Sequence, residues 1–193
     1  LALPWPDSIN KYLLIHETLN FDSNINYRPK QILYSVIDLN LDSGLGGVIQ
    51  KNTILINDTL EGGMLTACKH ANGRDWWIIC RRWDTSNDEF YQYLVTPSGI
   101  SNVIIQHIGA FTNQGFTTLN FSADGTKMCL SNYTGLLELY DFDRCTGVLS
   151  NLVTIQSEPT AAPYGWYWGC EFSASGRYLY LSTNHPTVSA LIQ

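Results

Sequence analysis

Charge is sparse in this chain: Asp, Glu, Lys and Arg make up only 15% of it, and only 11 of its 193 residues are Lys or Arg. A charge-laced helical protein would carry far more Glu, Lys and Ala, and a chain disordered by composition would not reach the 45% apolar content found. The basic residues are scattered, Arg81-Arg82 being the densest cluster, and the net charge is −6. Neither a nucleic acid nor an anionic membrane surface is therefore expected as a partner. No stretch approaches ~18 uninterrupted apolar residues, so no transmembrane segment is expected. The five cysteines, Cys68, Cys80, Cys129, Cys145 and Cys170, contain no CxxC spacing, and no histidine completes a zinc pattern beside them. We expect no structural metal and no other cofactor, and the odd count leaves at least one thiol unpaired within the chain. An initiating Met, a basic leader and a cleavable apolar segment are also missing before Leu1, from which we expect a processed or excised segment.

Aromatic residues, by contrast, reach 12%, with 6 Trp and 11 Tyr, and Gly, Asn, Thr and Ser are plentiful while Met is scarce. That mixture favours strands and turns. Self-similarity then sets the architecture. Phe121-Ser-Ala-Asp-Gly-Thr-Lys-Met-Cys-Leu-Ser131 matches Phe172-Ser-Ala-Ser-Gly-Arg-Tyr-Leu-Tyr-Leu-Ser182 at a spacing of 51. A weaker copy, Lys69-His-Ala-Asn-Gly73 followed by an apolar run from Trp76 to Cys80, lies about 52 residues upstream. In each copy a polar-Gly turn, Asn72-Gly73, Asp124-Gly125 or Ser175-Gly176, separates two apolar stretches, as a hairpin requires. Phe90–Val95 and Val103–Ile108 supply third and fourth strands in one unit, Leu136–Phe142 and Val148–Ile155 in the next. Tyr12–His16, Ile32–Leu39 and Val48–Ile56 fit the second to fourth strands of an earlier unit whose first strand would precede Leu1.

Four strands at a period near 50 predict an all-β, partial β-propeller of about four blades, covering approximately residues 1–60, 61–112, 113–160 and 161–193. The first and last blades are expected to be incomplete, so the remaining blades are expected in a longer polypeptide or in another chain. A β-sandwich whose hairpins resemble one another by coincidence is the alternative.

Three groups of residues carry candidate chemistry. Trp76, Trp77, Trp83, Trp166 and Trp168 would either offer platforms to sugar rings or protein anchors, or fill the space between blades. His70 and Asp75 flank a hairpin turn, where hydrogen bonding that ties blades together is the simpler role than acid–base work. Asp141 and Asp143 share a face of one strand and would suit Ca²⁺ only with further oxygens, whereas Arg144 offers a turn-stabilising ion pair. Cys68 and Cys80 lie at nearly symmetric distances from the Asn72-Gly73 turn, so a cross-strand disulfide is expected there. Asn57 and Asn132 head N-x-Thr sequons.

The strings Leu65-Thr-Ala-Cys-Lys-His-Ala-Asn-Gly-Arg-Asp-Trp-Trp77, Phe121-Ser-Ala-Asp-Gly125, Tyr140-Asp-Phe-Asp-Arg-Cys-Thr-Gly147 and Gly169-Cys-Glu-Phe-Ser-Ala-Ser-Gly-Arg-Tyr-Leu-Tyr-Leu181 carry a resemblance. With them the chain resembles the WD40-like or YVTN-like β-propeller modules of large secreted Bacteroidetes proteins, which often end in gliding-motility-associated or type IX secretion sorting domains. The resemblance implies an extracellular or cell-surface location and a scaffold, adhesion or binding role, and it supplies no catalytic residues. It also suggests Cys145 and Cys170 as a second disulfide and Ser8 and Thr59 as O-glycosylation sites. The expected function is thus a non-enzymatic module for a protein or carbohydrate partner. Two alternatives are a lactonase- or lyase-like propeller enzyme completed by other blades, and a subunit that self-assembles through open edge strands.

Overall fold

The computed structural model describes residues 1–19, 28–83, 88–111, 117–156, 167–183 and 190–193. Its regular structure is almost entirely strand, arranged as four antiparallel sheets that succeed one another along the chain: an all-β, partial propeller. The first sheet runs β1 (Ala2–Pro4), β2 (Lys11–Leu19), β3 (Pro29–Asp38) and β4 (Gly47–Asn57). The second contains β5 (Leu60–Lys69), β6 (Trp76–Arg82) and β7 (Glu89–Thr96), with β8 (Gly99–Ile100) and β9 (Ile104–His107) both pairing with β7 as pieces of an interrupted outer strand. The third is β10 (Thr117–Phe121), β11 (Lys127–Asn132), β12 (Leu137–Phe142) and β13 (Leu149–Gln156). The fourth holds β14 (Tyr167–Phe172), β15 (Leu179–Thr183) and the two-residue β16 (Leu191–Ile192).

The repeated sequence produces a repeated turn. In all three copies the glycine N–H donates to the carbonyl three residues back: Gly73 to His70 at 2.9 Å, and Gly125 to Ser122 and Gly176 to Ser173 at 2.8 Å each. The residue before each glycine supplies a side-chain acceptor to the N–H two positions later. Asn72 Oδ1 accepts from Arg74 at 3.0 Å, Asp124 Oδ1 from Thr126 at 3.0 Å and Ser175 Oγ from Arg177 at 3.4 Å. These short polar side chains mimic a backbone turn, which is why Asn, Asp and Ser interchange at this position.

Alternation along the strands then builds the packing. On β6, Ile78 and Cys80 face the first sheet and join Leu13, Ile15, Ile32 and Val36 in one apolar core. Trp77 and Ile79, pointing the other way, meet Met128, Leu130, Tyr140 and Phe142 of the third sheet in a second core. On β11 the pattern repeats: Met128 and Leu130 face the second sheet, whereas Cys129 turns to Tyr167, Cys170, Phe172 and Leu181 of the fourth. The two middle sheets are thus buried on both faces, and β10 sits between β5 and β14, so that first strands neighbour one another as around a propeller axis.

Two features correct the sequence-based expectation. The first unit does contain its first strand: Ala2, Leu3 and Pro4 pair with Leu14, Leu13 and Tyr12. The prolines Pro4 and Pro6 disguise it, because proline is compatible with an edge strand that need not donate at that position. In addition, the outer strands carry a repeat of their own, Asn52, Asn102 and Asn151, spaced by about 50 residues. Asn52 and Asn151 adopt left-handed conformations with φ of 51° and 48°, where β4 and β13 slip register against their partners. Asn102 lies at the break between β8 and β9. Asparagine tolerates this conformation better than most residues, so the same residue marks each irregularity.

Candidate functional site

The hairpin turns of neighbouring sheets meet at one end of the assembly and are joined by side chains that cross from sheet to sheet. Arg144, in the turn after β12, donates from Nε to Lys69 O at 2.8 Å, from Nη1 to Asp124 O at 2.9 Å and from Nη2 to His70 O at 3.3 Å. His70 Nδ1 accepts the Asn72 N–H at 3.0 Å, leaving Nε2–H to donate to Cys145 O at 3.0 Å. Arg74 reaches from the second sheet to Asp7 of the first at 3.2 Å and also binds Asp75 at 2.8 Å. This contact, with the bond from Asn72, holds the Asp75 carboxyl below its ordinary range. His70 and Asp75 therefore serve the turn and the junction between sheets.

Two adjacent clefts open on this surface. One, of about 410 Å³, lies between the second and third sheets and is bordered by Lys69, Trp76, Phe121, Asp124 and Arg144. The other, of about 430 Å³, lies between the first and second sheets and is bordered by Trp5, Asp7, Lys69, Arg74 and Trp76. Trp76 and Lys69 line both. The Trp76 indole is half-buried and anchored by a 3.1 Å bond from Nε1 to Pro4 O, while the Lys69 ammonium stands 5.1 Å from the ring centroid. The combination provides an apolar ring face, three cationic side chains and two carboxylates within one surface. Such a surface can stack a ring or an apolar side chain and hydrogen-bond hydroxyls or peptide groups around it.

The other tryptophans take different places. Trp77 is buried, edge-on to Phe142 at 6.4 Å, and its Nε1 donates to Arg144 O at 2.9 Å. Its ring fills the space beside Gly147, where an added Cβ would stand 2.8 Å from the indole. Trp83 is half-buried beneath the Arg28 guanidinium at 4.0 Å. Trp168 is 55% exposed, at a bulge of β14 that frees it from strict alternation, and meets Tyr133 edge-on at 6.0 Å. Trp166 lies outside the described residues. The structure therefore brings Trp76 into the clefts, uses Trp77 as packing and leaves Trp168 on another surface.

The cysteine expectations are overturned. In the β5–β6 hairpin Cys68 pairs with Trp77 and Cys80 with Leu65, so the two cysteines are offset by three positions and point to opposite faces. The hairpin is centred on Asn72-Gly73, but Cys68 lies four residues before Asn72 and Cys80 seven after Gly73, so the distances are not symmetric and Trp77 takes the place opposite Cys68. Cys145 is exposed in a turn, whereas Cys170 is buried beside Cys129, so Cys145 and Cys170 do not pair. Arg144 does not pair with Asp141, which binds Lys127 at 2.7 Å, and Asp143 caps its own turn through Cys145 N at 2.8 Å. Among the described residues no group of three His, Cys, Asp or Glu side chains is arranged to hold a metal.

Asn132 is also a poor glycan acceptor. It is fully buried, and Oδ1 accepts the N–H groups of Thr134 at 3.1 Å and Leu136 at 2.8 Å. Asn57 is exposed, bound only laterally by Gln31 Nε2 at 2.8 Å, and Ser8 and Thr59 are half-buried.

Sequence reasoning missed the buried charges. Arg28 and Glu61 join the first and second sheets. At the next junction Arg81 donates to Ala110 O, Glu138 Oε1 accepts Ala110 N–H at 2.9 Å, and Tyr140 OH donates to Glu138 Oε2 at 2.5 Å. Burial and the Glu138 charge push the Tyr140 hydroxyl up from its ordinary range. The visible signal was a charged residue within apolar strand sequence, as in Ile78-Ile-Cys-Arg81 and Leu136-Leu-Glu-Leu139.

Blade-like sheets with clefts at their shared turn end define this chain as a partial β-propeller. No protein-family model and no curated protein matches it. No helix is long and apolar enough to cross a membrane among the described residues.

Proposed function

We propose that this chain is a non-enzymatic binding and scaffold module of a larger extracellular or cell-surface protein, with its turn-end clefts engaging a protein or carbohydrate partner. The observation that carries this reading is the pair of adjacent clefts sharing a half-buried Trp76 and the Lys69 ammonium above it. The turns around the clefts are cross-braced by Arg74 and Arg144, which limits the ordering needed when a partner binds. The resemblance to secreted Bacteroidetes propeller modules supports the extracellular location and the scaffold role. Arrays of glycans and of extracellular protein fragments, probed with the wild-type chain, Lys69→Ala and Trp76→Phe, test the proposal. Species retained by wild type should be weakened by both substitutions while circular dichroism stays unchanged. Absence of any retained species, or retention unaffected by both substitutions, contradicts it.

A second reading, self-assembly through strand edges, is favoured by the exposed aliphatic side chains on outer strands. Val48, Ile49 and Ile54 of β4 and Leu152, Val153 and Ile155 of β13 face solvent beside unpaired edges. Light scattering across a concentration series separates the readings: a mass that stays monomeric removes this second one.

A further inference from the structure

We propose that Cys129 and Cys170 form a disulfide that fastens the fourth sheet to the third. Their sulfurs, on β11 and β14, lie 2.6 Å apart, closer than unbonded sulfurs settle and near the ~2.05 Å of an S–S bond. The pair is enclosed by Leu137, Tyr167, Phe172 and Leu181. Strand β14 is held in register beside it by Asn120 Nδ2, which donates to Cys170 O at 3.2 Å, and by Thr118 Oγ1, which donates to Trp168 O at 3.3 Å. No comparable arrangement involves the other cysteines: Cys68 and Cys80 occupy separate cores and Cys145 is exposed.

The junction gives the bond a purpose. Where the first sheet meets the second and the second meets the third, buried Arg and Glu side chains cross the interface. The core between the third and fourth sheets is smaller, and the sulfur pair lies within it. A covalent link here closes a loop between residues 41 positions apart, which restricts the unfolded chain and favours the docked sheet.

The bond forms by exchange with a small disulfide such as oxidised glutathione. One cysteine thiolate attacks a sulfur of the small disulfide, making a mixed disulfide and expelling one small thiolate. The second cysteine thiolate attacks the protein-side sulfur, making the Cys129–Cys170 bond and expelling the other. Two protein thiols are oxidised, the small disulfide is reduced to two thiols, and these take up the two protons released. Because the folded pair is buried, exchange takes place before or while β14 docks. The inference stands apart from the binding reading, and a stable bond fits an oxidising compartment.

The chain should be refolded with oxidised glutathione, freed of small thiols, and alkylated under denaturing conditions without reduction. Mass spectrometry is expected to find Cys68, Cys80 and Cys145 alkylated and one linked peptide pair containing Cys129 and Cys170, with all five cysteines alkylated after reduction. Recovery of all five alkylated without reduction, or a link between other cysteines, overturns the proposal. As a second readout, reduction should lower the unfolding midpoint of the wild-type chain but not that of Cys129→Ala/Cys170→Ala. An equal response in both overturns it, and if the double variant fails to fold the peptide map of the wild-type chain decides.

Discussion

Arg28 Nη1 lies 2.8 Å from Glu61 Oε2, with both side chains withdrawn from water, and the pair joins the loop end of β3 to the inner strand of the next sheet. Desolvation holds the Arg28 guanidinium below its ordinary range, and the Glu61 carboxylate opposes that effect in part. Replacing Glu61 takes its carboxylate away from a guanidinium that is almost wholly withdrawn from water. Glu61→Ala is therefore expected to destabilise the chain by about 3–5 kcal/mol in urea unfolding, whereas Arg28→Met/Glu61→Leu should recover most of the loss. Equal losses in the single and double variants would show that the packing, not the lost carboxylate, sets the cost.

Gly147 and Gly73 have similar backbones, φ of 77° and 73°, but different surroundings. A Cβ at Gly147 would meet the Trp77 ring at 2.8 Å, while one at Gly73 meets nothing within 4 Å. Gly73→Ala should cost about 1–2 kcal/mol from the left-handed backbone alone. Gly147→Ala should cost clearly more in the same unfolding measurement, since the buried ring must also move.

Asp124 accepts bonds from Ser122 Oγ at 2.6 Å and Thr126 N at 3.0 Å, and these lower its pKa to about 2. The unfolded chain binds this proton near pH ~3.9, so the stabilising effect is present above that value and is lost as pH falls through the folded-state value. Asp124→Asn should flatten the acid limb of stability between about pH 4 and pH 2 relative to wild type, read from thermal midpoints at each pH. Asp124 is exposed, and the effect is accordingly expected to be small and reduced by salt.

Expression in a host that modifies N-x-Thr sequons should yield glycan at Asn57 and none at Asn132. The first is exposed, whereas the second is enclosed and committed to its own turn. Glycopeptide mapping reads the two positions separately, and modification of Asn132 in folded chain would contradict the assigned burial.

The parts of this architecture legible in sequence were those written in local chemistry. Phe121-Ser-Ala-Asp-Gly125 and Phe172-Ser-Ala-Ser-Gly176 announce their turns because φ above zero and a side-chain acceptor are needed within five residues. The opposite faces of Trp76 and Trp77 follow from strand geometry. What escaped depends on partners far apart in sequence: Arg28 with Glu61, Arg81 and Glu138 with Ala110, Cys129 with Cys170. Such pairs are set by how one sheet docks on the next, which no single hairpin specifies. The Cys68–Cys80 expectation failed for a local reason: about the Asn72-Gly73 centre Cys80 falls opposite Leu65, and an odd offset of three along a strand places the two side chains on different faces.

The most direct test of the binding reading is partner retention by wild type, Lys69→Ala and Trp168→Ala on one glycan and protein-fragment array. Lys69 stands over the shared ring of the two clefts, and Trp168 is exposed on the fourth sheet. Loss of retained partners in Lys69→Ala, with Trp168→Ala behaving as wild type and all three unfolding at similar temperatures, is the expected result. Retention unchanged in Lys69→Ala but lost in Trp168→Ala would move the binding surface away from the turn-end clefts and contradict this account.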